Sequence, residues 1–220
     1  MALSRLNYNS LNVTPTASKG IGFDSGADDL AATFSGGDMT FIKKLTSDGS
    51  DDTLSFVDGT SDVVIDSTYK EYMFIFNDIH PETDNTQLTF QGNSAGGADY
   101  NETITSTAFM AFHTEAGTSP TLGYEAGRDQ AQATGFQGCT GDIGNDNDQA
   151  ASGYLHLFNP SSTTFVKHFI GRASSIHPSD RENDFFFAGY FNTTSAIDEI
   201  QFKMSSGEIQ GGTISLYGIN

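Results

Sequence analysis

The sequence predicts an all-β fold: an antiparallel β-sandwich or jelly roll over residues 39–220, preceded by an extended N-terminal arm over residues 1–38. Three observations carry this. Short runs rich in Val, Ile, Thr, Phe and Tyr recur from Met39 onward, separated by clusters of Gly, Asn, Asp and Ser. Twenty-four Gly against five Pro describe a chain that turns tightly and often. No long segment keeps the 3.6-residue apolar period of a helix.

In chain order, residues 1–38 hold only isolated apolar residues (Leu3, Leu6, Leu11, Val13, Ile21, Phe23) with no sustained period, and read as an arm. The predicted strands are 39–45, 53–57, 62–66, 71–79, 86–91, 99–113, 153–158, 164–173, 184–192, 197–204 and 212–218. Asp48-Gly49 and Asp58-Gly59 mark turns between the first three. Asn159-Pro-Ser-Ser162 closes a hairpin, and the Gly-rich stretch 205–212 closes the last one. The span 114–152 lacks strand signals, and its one helix-like stretch, 125–133, is interrupted by Gly127.

Three strands lack the alternation of an ordinary half-wet antiparallel strand. They are Tyr72–Phe76, Thr107–Phe112 and Asp184–Phe191. In the last, Phe185, Phe187 and Phe191 face one way and Phe186, Ala188 and Tyr190 the other. A sandwich buries one face per sheet, so a second apolar face calls for another partner surface. Phe74, Phe76, Phe109, Phe112, Phe186 and Tyr190 are therefore the candidate interface residues, and a homo-oligomer, most simply a trimer, is expected.

Lys and Arg total 10 against 28 Asp and Glu, a formal charge of −18. Lys43-Lys44 is the one basic pair, too little to displace counterions from nucleic acid, so no nucleic-acid partner is expected. An acidic membrane surface would repel the chain, and no apolar run reaches the roughly 20 residues that span a bilayer. Met1–Tyr8 has no apolar core of a signal peptide, so synthesis and retention in a cytoplasm are expected.

Chemical motifs are few. Gly92-Asn-Ser-Ala-Gly96 matches the GxSxG nucleophile elbow, but that motif works as a strand-to-helix turn, and a β-rich run follows here. The single cysteine, Cys139, has no histidine near it in sequence. His156 and His168 share a face of one hairpin if its turn is centred near Ser161. No catalytic residues and no cofactor are expected. The densest run of oxygen donors is 141–149; if a cation binds, Ca²⁺ on Asp142, Asp146 and Asp148 is the first choice, although the spacing is not that of an EF-hand. For a sugar-binding alternative, Tyr8, Tyr100, Tyr124 and Tyr154 supply aromatic surface in a chain without Trp.

Tyr69-Lys-Glu-Tyr-Met-Phe-Ile-Phe-Asn-Asp-Ile-His-Pro-Glu-Thr-Asp-Asn85 places an aromatic-rich strand before N-x-x-P-x-T-D. Leu88–Tyr100 follows as a strand and Gly-rich hairpin. With 153–160, 200–207 and 212–219, these segments resemble virion structural proteins of tailed bacteriophages, most closely those of phages infecting marine cyanobacteria. The resemblance covers roughly residues 69–219 and consists of strand edges and turns. It implies a β-sandwich component at the virion surface, a tail fibre, spike or head decoration, with other virion proteins as partners. Host attachment through a surface glycan, as a carbohydrate-binding module or adhesin, is the alternative expectation.

Overall fold

The computed structural model describes residues 19–23, 30–35, 39–97 and 99–220. The chain forms two compact units, Met1–Thr40 and Phe41–Asn220. In the first, β1 (Lys19–Phe23) and β2 (Leu30–Ser35) pair antiparallel, with Lys19 opposite Ser35 and Phe23 opposite Leu30. The expected arm thus contains a short β-hairpin. Gly20, Gly22, Ala31 and Ala32 leave these strands without an apolar alternation to read. The rest of the expected 1–38 arm lies outside the described residues.

Two antiparallel sheets build the larger unit. The long one contains β3 (Met39–Thr46), β5 (Glu71–Pro81), β7 (Ile104–Thr114), β8 (Thr121–Tyr124), β9 (Ala131–Ala133), β11 (Ala151–Phe158), β12 (Lys167–His177), β13 (Arg181–Phe191) and β15 (Ile209–Ile219). Its spatial order is β3-β15-β5-β11-β12-β13-β7-β8, with β9 also on β7. The short sheet holds β4 (Leu54–Val57), β6 (Leu88–Ser94), β10 (Gln137–Gly138) and β14 (Ile197–Met204), in the order β10-β6-β14-β4.

Aromatic side chains lock the sheets face to face. Phe202 of β14 meets Phe74 and Phe76 of β5 at 5.3 and 5.4 Å between ring centroids. Phe90 of β6 meets Phe169 of β12 edge-on at 5.1 Å, and Phe56 of β4 meets Phe74 at 5.3 Å. Each such pair adds about 0.5–1.5 kcal/mol beyond the burial of its area. Two glycines make room for these rings. A Cβ on Gly171 would lie 2.1 Å from Cζ of Phe187, and one on Gly189 would lie 2.7 Å from Cζ of Phe169.

The predicted turns at Gly49, Gly59 and Asn159 carry positive φ, and Gly207 turns the chain between β14 and β15. Residues 62–66 form no strand. Ser61 and Asp62 both adopt positive φ, and Val63 and Ile65 instead drop into the core, held by the Ile65 amide on Asp58 Oδ1 (2.8 Å). Residues 125–133 form a turn and β9 rather than a helix, and the span 114–152 contributes β8, β9 and β10. Those strands are two to four residues long, too short to show a period.

Candidate functional site

The three two-sided strands lie in the long sheet, and register decides what their second faces do. Tyr72, Phe74 and Phe76 of β5, Ala108 and Met110 of β7, and Phe185, Phe187 and Phe191 of β13 point into the core and are buried. Phe74 and Phe76, expected at a subunit interface, are 0% and 1% exposed. This corrects their assignment: the face of β5 that points away from the core carries Met73 and Ile75 instead. Phe112 lies on the inward parity near the strand end, packed against the core and capped by the Arg181 guanidinium 4.5 Å above its ring. Phe109, Phe186 and Tyr190 do face outward.

Across the strands these outward residues join into rows. One row runs Ser215, Ile75, Tyr154, Arg172, Phe186, Phe109, Tyr124 from β15 to β8. The next runs Tyr217, Met73, His156, Ile170, Ala188, Thr107, and Phe41 of β3 packs edge-on against Tyr217 at 5.6 Å. Phe109 and Phe186 stack with centroids 4.7 Å apart and planes 8° apart. The Arg172 guanidinium sits 4.6 Å over Phe186 and donates two parallel hydrogen bonds to Asp184, at 2.8 and 2.7 Å. Cation, ring and ring thus continue one ladder over three strands. Phe109 is 43% exposed, Ile170 52% and Tyr124 59%. A shallow groove runs between Thr107, Phe109, Ile170, Phe186 and Ala188.

Several acids on this face have side-chain partners. His156 Nδ1 contacts Glu71 Oε1, and Arg172 takes Asp184. Ser174 Oγ donates to Glu182 at 2.7 Å, while burial pushes the Glu182 carboxyl above its ordinary range. His156 and His168 share this face, but His156 stands opposite Ile170, so the two histidines are not directly paired. Phe41, Met73, Ile75, Ile170, Arg172 and Tyr217 are among the members of the face missed in the sequence. Only the strand register could have found them, since in sequence each reads as a lone residue between small or core neighbours.

The other candidates stand apart. Asp142 does not join Asp146 and Asp148 in a cation site: Arg128 Nη2 donates to its carboxylate at 2.7 Å and Gln87 Nε2 at 3.2 Å. Among the described residues no group of three or more His, Cys, Asp or Glu is placed to hold a metal ion. Hydrogen bonds staple the loop instead, with Asn145 Nδ2 on the Glu82 carbonyl at 3.0 Å and its amide on Asp84 Oδ1. This overturns the expectation of Asp142, Asp146 and Asp148 as a shared ligand set: one carboxylate is spent on an arginine, and the other two side chains sit on an exposed turn. Ser94 ends β6 before a turn at Ala95-Gly96, and among the described residues no helix follows it. Cys139 is fully buried, and burial raises its thiol well above the ordinary value. Tyr100 donates to Glu199 at 2.8 Å; burial first, then that carboxylate, push it to about 12. Tyr8 lies outside the described residues.

Comparison with protein-family models, curated proteins and solved structures finds no match.

Proposed function

We propose that this chain is a non-enzymatic structural protein of a tailed-phage particle, a self-associating component of the virion surface such as a tail fibre, spike or head decoration. The observation that supports it best is the outer face of the long sheet, an apolar and aromatic surface crossed by one arginine–carboxylate pair and one histidine–carboxylate contact. Large exposed apolar patches on soluble proteins mark contact sites. The segments at 69–100, 153–160, 200–207 and 212–219 that resemble phage virion proteins supply the particle context. Synthesis in the host cytoplasm and assembly with other virion proteins follow from that reading. The test is immunogold labelling of purified particles with an antibody to the recombinant chain. Labelling at a defined head or tail position is the expected result, and particles without the protein would sink the proposal.

A second reading, host-glycan recognition, is favoured by one observation. Tyr154, Arg172, Ser174, Glu182 and Asp184 line a groove that mixes an aromatic ring with fixed hydrogen-bonding groups. A glycan array separates the two: retention of a defined sugar class, lost in Tyr154→Ala, would favour recognition.

A further inference from the structure

We infer that the outer face of the long sheet pairs with the same face of a second copy, in a two-fold contact centred near Ile170 and Phe186. The inference rests on the self-association reading and names its partner and geometry.

Area is the first argument. The two rows, with a third through Glu71, Phe158, His168, Tyr190 and Thr105, together span eight strands spaced about 4.8 Å apart and lie about 6.8 Å apart along the strands, outlining roughly 34 by 14–20 Å. Side-chain relief adds to that projection, which approaches the roughly 800 Å² per partner of a standard stable interface. The face thus supplies most of such a contact.

Charge is the second. Two copies, each of formal charge −18, repel one another over most of their surfaces. At the centre of this face, the Arg172 guanidinium offsets the Asp184 carboxylate. Of its acids, Asp184 pairs with Arg172, Glu71 contacts the His156 imidazole, Glu182 accepts from Ser174, and Asp129 accepts from Tyr124 at the end of the row. Interfaces that hold proteins together are depleted in charge at the centre and enriched in aromatic residues and Arg. The centre here is Phe109, Phe186, Ile170 and Arg172.

Symmetry is the third. A two-fold contact needs one self-complementary patch per copy, whereas a ring of three needs two different ones. The face is a single continuous patch. A face-to-face dimer therefore replaces the trimer expected from sequence. A trimeric particle component would have to be built from such dimers through other surfaces.

The experiment is light scattering and analytical ultracentrifugation of the full chain, wild type beside Ile170→Glu, Phe165→Ser and a variant lacking residues 1–38. The wild type should be a dimer. Ile170→Glu puts like charges opposite each other at the centre and should weaken the dimer by about 100-fold or more, with an unchanged circular dichroism spectrum. Phe165 is 69% exposed on the β11–β12 turn, outside the rows, and its variant should dimerise as the wild type does. Should Ile170→Glu fail to fold, Ile170→Cys with a short bis-maleimide provides the second measurement, since Cys139 is buried and inert. A covalent dimer is expected. An oligomer that survives Ile170→Glu, or no cross-link through Ile170→Cys, overturns the face-to-face contact while leaving self-association standing. A monomer that dimerises only after removal of residues 1–38 overturns it too, because the face would then be covered within one chain. A monomer in every variant, with no particle labelling, overturns both readings.

Discussion

The two outer faces of the sandwich solve the same problem in opposite ways. On the short sheet, Thr89, Gln91 and Asn93 point away from the core of β6, yet all three are buried. The chain's own loops lie over them. Gln91 Nε2 donates toward the carbonyls of Glu102 (3.0 Å), Thr134 (3.2 Å) and Gly135 (3.0 Å), and Lys203 sits 4.1 Å over the Phe136 ring. Gln137 closes the neighbouring edge: its Nε2 donates to the Arg128 carbonyl at 2.9 Å, and its Oε1 accepts from Ser106 Oγ of the long sheet. On the long sheet, the corresponding outward positions are Phe109, Ile170 and Phe186, and Phe109 and Ile170 are exposed. The difference has a physical cause. Irregular chain carries unpaired carbonyls that must find donors when buried. A strand face bearing Gln and Asn provides them, so loops can settle there. A face bearing Phe, Ile and Met has no donors to give and is suited to another apolar surface.

Four changes would break or sharpen this contrast. The largest effect belongs to the core that both faces share. Phe90 touches Phe169, Phe187, Phe191 and Phe202, and Phe90→Ala should cost about 3–5 kcal/mol in denaturant unfolding. A loss under about 1 kcal/mol would mean the sheets are not locked through these rings.

Next comes the covered face. Gln91→Leu keeps the volume and removes the donors, leaving buried loop carbonyls unpaired. It should cost about 2–3 kcal/mol and speed hydrogen exchange across 99–103 and 131–137. Unchanged exchange there would show that the loops hold without Gln91.

The exposed face should respond weakly within one protomer. Phe109→Ser removes one ring of the stack with Phe186 and should cost about 1 kcal/mol or less in the dissociated protein. A loss as large as that of Phe90→Ala would make the outer ladder part of the fold rather than a contact surface.

Asp198 supplies the smallest effect. Burial, and then the charges of Glu199 and Asp58, raise its carboxyl above the ordinary value, and its Oδ1 is buried without a partner. The folded state holds that proton more tightly than the unfolded chain. Its contribution is therefore fully present below the unfolded value of ~3.9 and is lost as pH rises through the higher folded value. Asp198→Asn should raise Tm at pH 7 and flatten the gain in Tm as pH falls toward ~3.9. An unaltered pH slope would count against Asp198 as the source.

Much of this protein was legible in its residues. Turn chemistry at Asp48-Gly49, Asp58-Gly59 and Asn159-Pro160 and the β-rich runs between them determine an all-β chain, because these choices are local and act within a few residues. The two-sided character of 184–191 was likewise visible, since side-chain alternation follows from strand geometry alone. Which side of each strand faces inward was not. Phe74 and Phe76 looked like interface residues because an apolar side chain reads the same in a core and on a surface, and the register against β11 and β15 decides between them. For the same reason Ile170, Arg172 and Tyr217 gained a role only when non-local pairing placed them in line with Phe186 and Met73. Asp142 looked like a metal ligand until folding brought Arg128 across to it, 14 residues away in the chain. Composition and periodicity determined the kind of layers. Long-range pairing, in which a one-residue slip turns a strand over, decided which layer meets water.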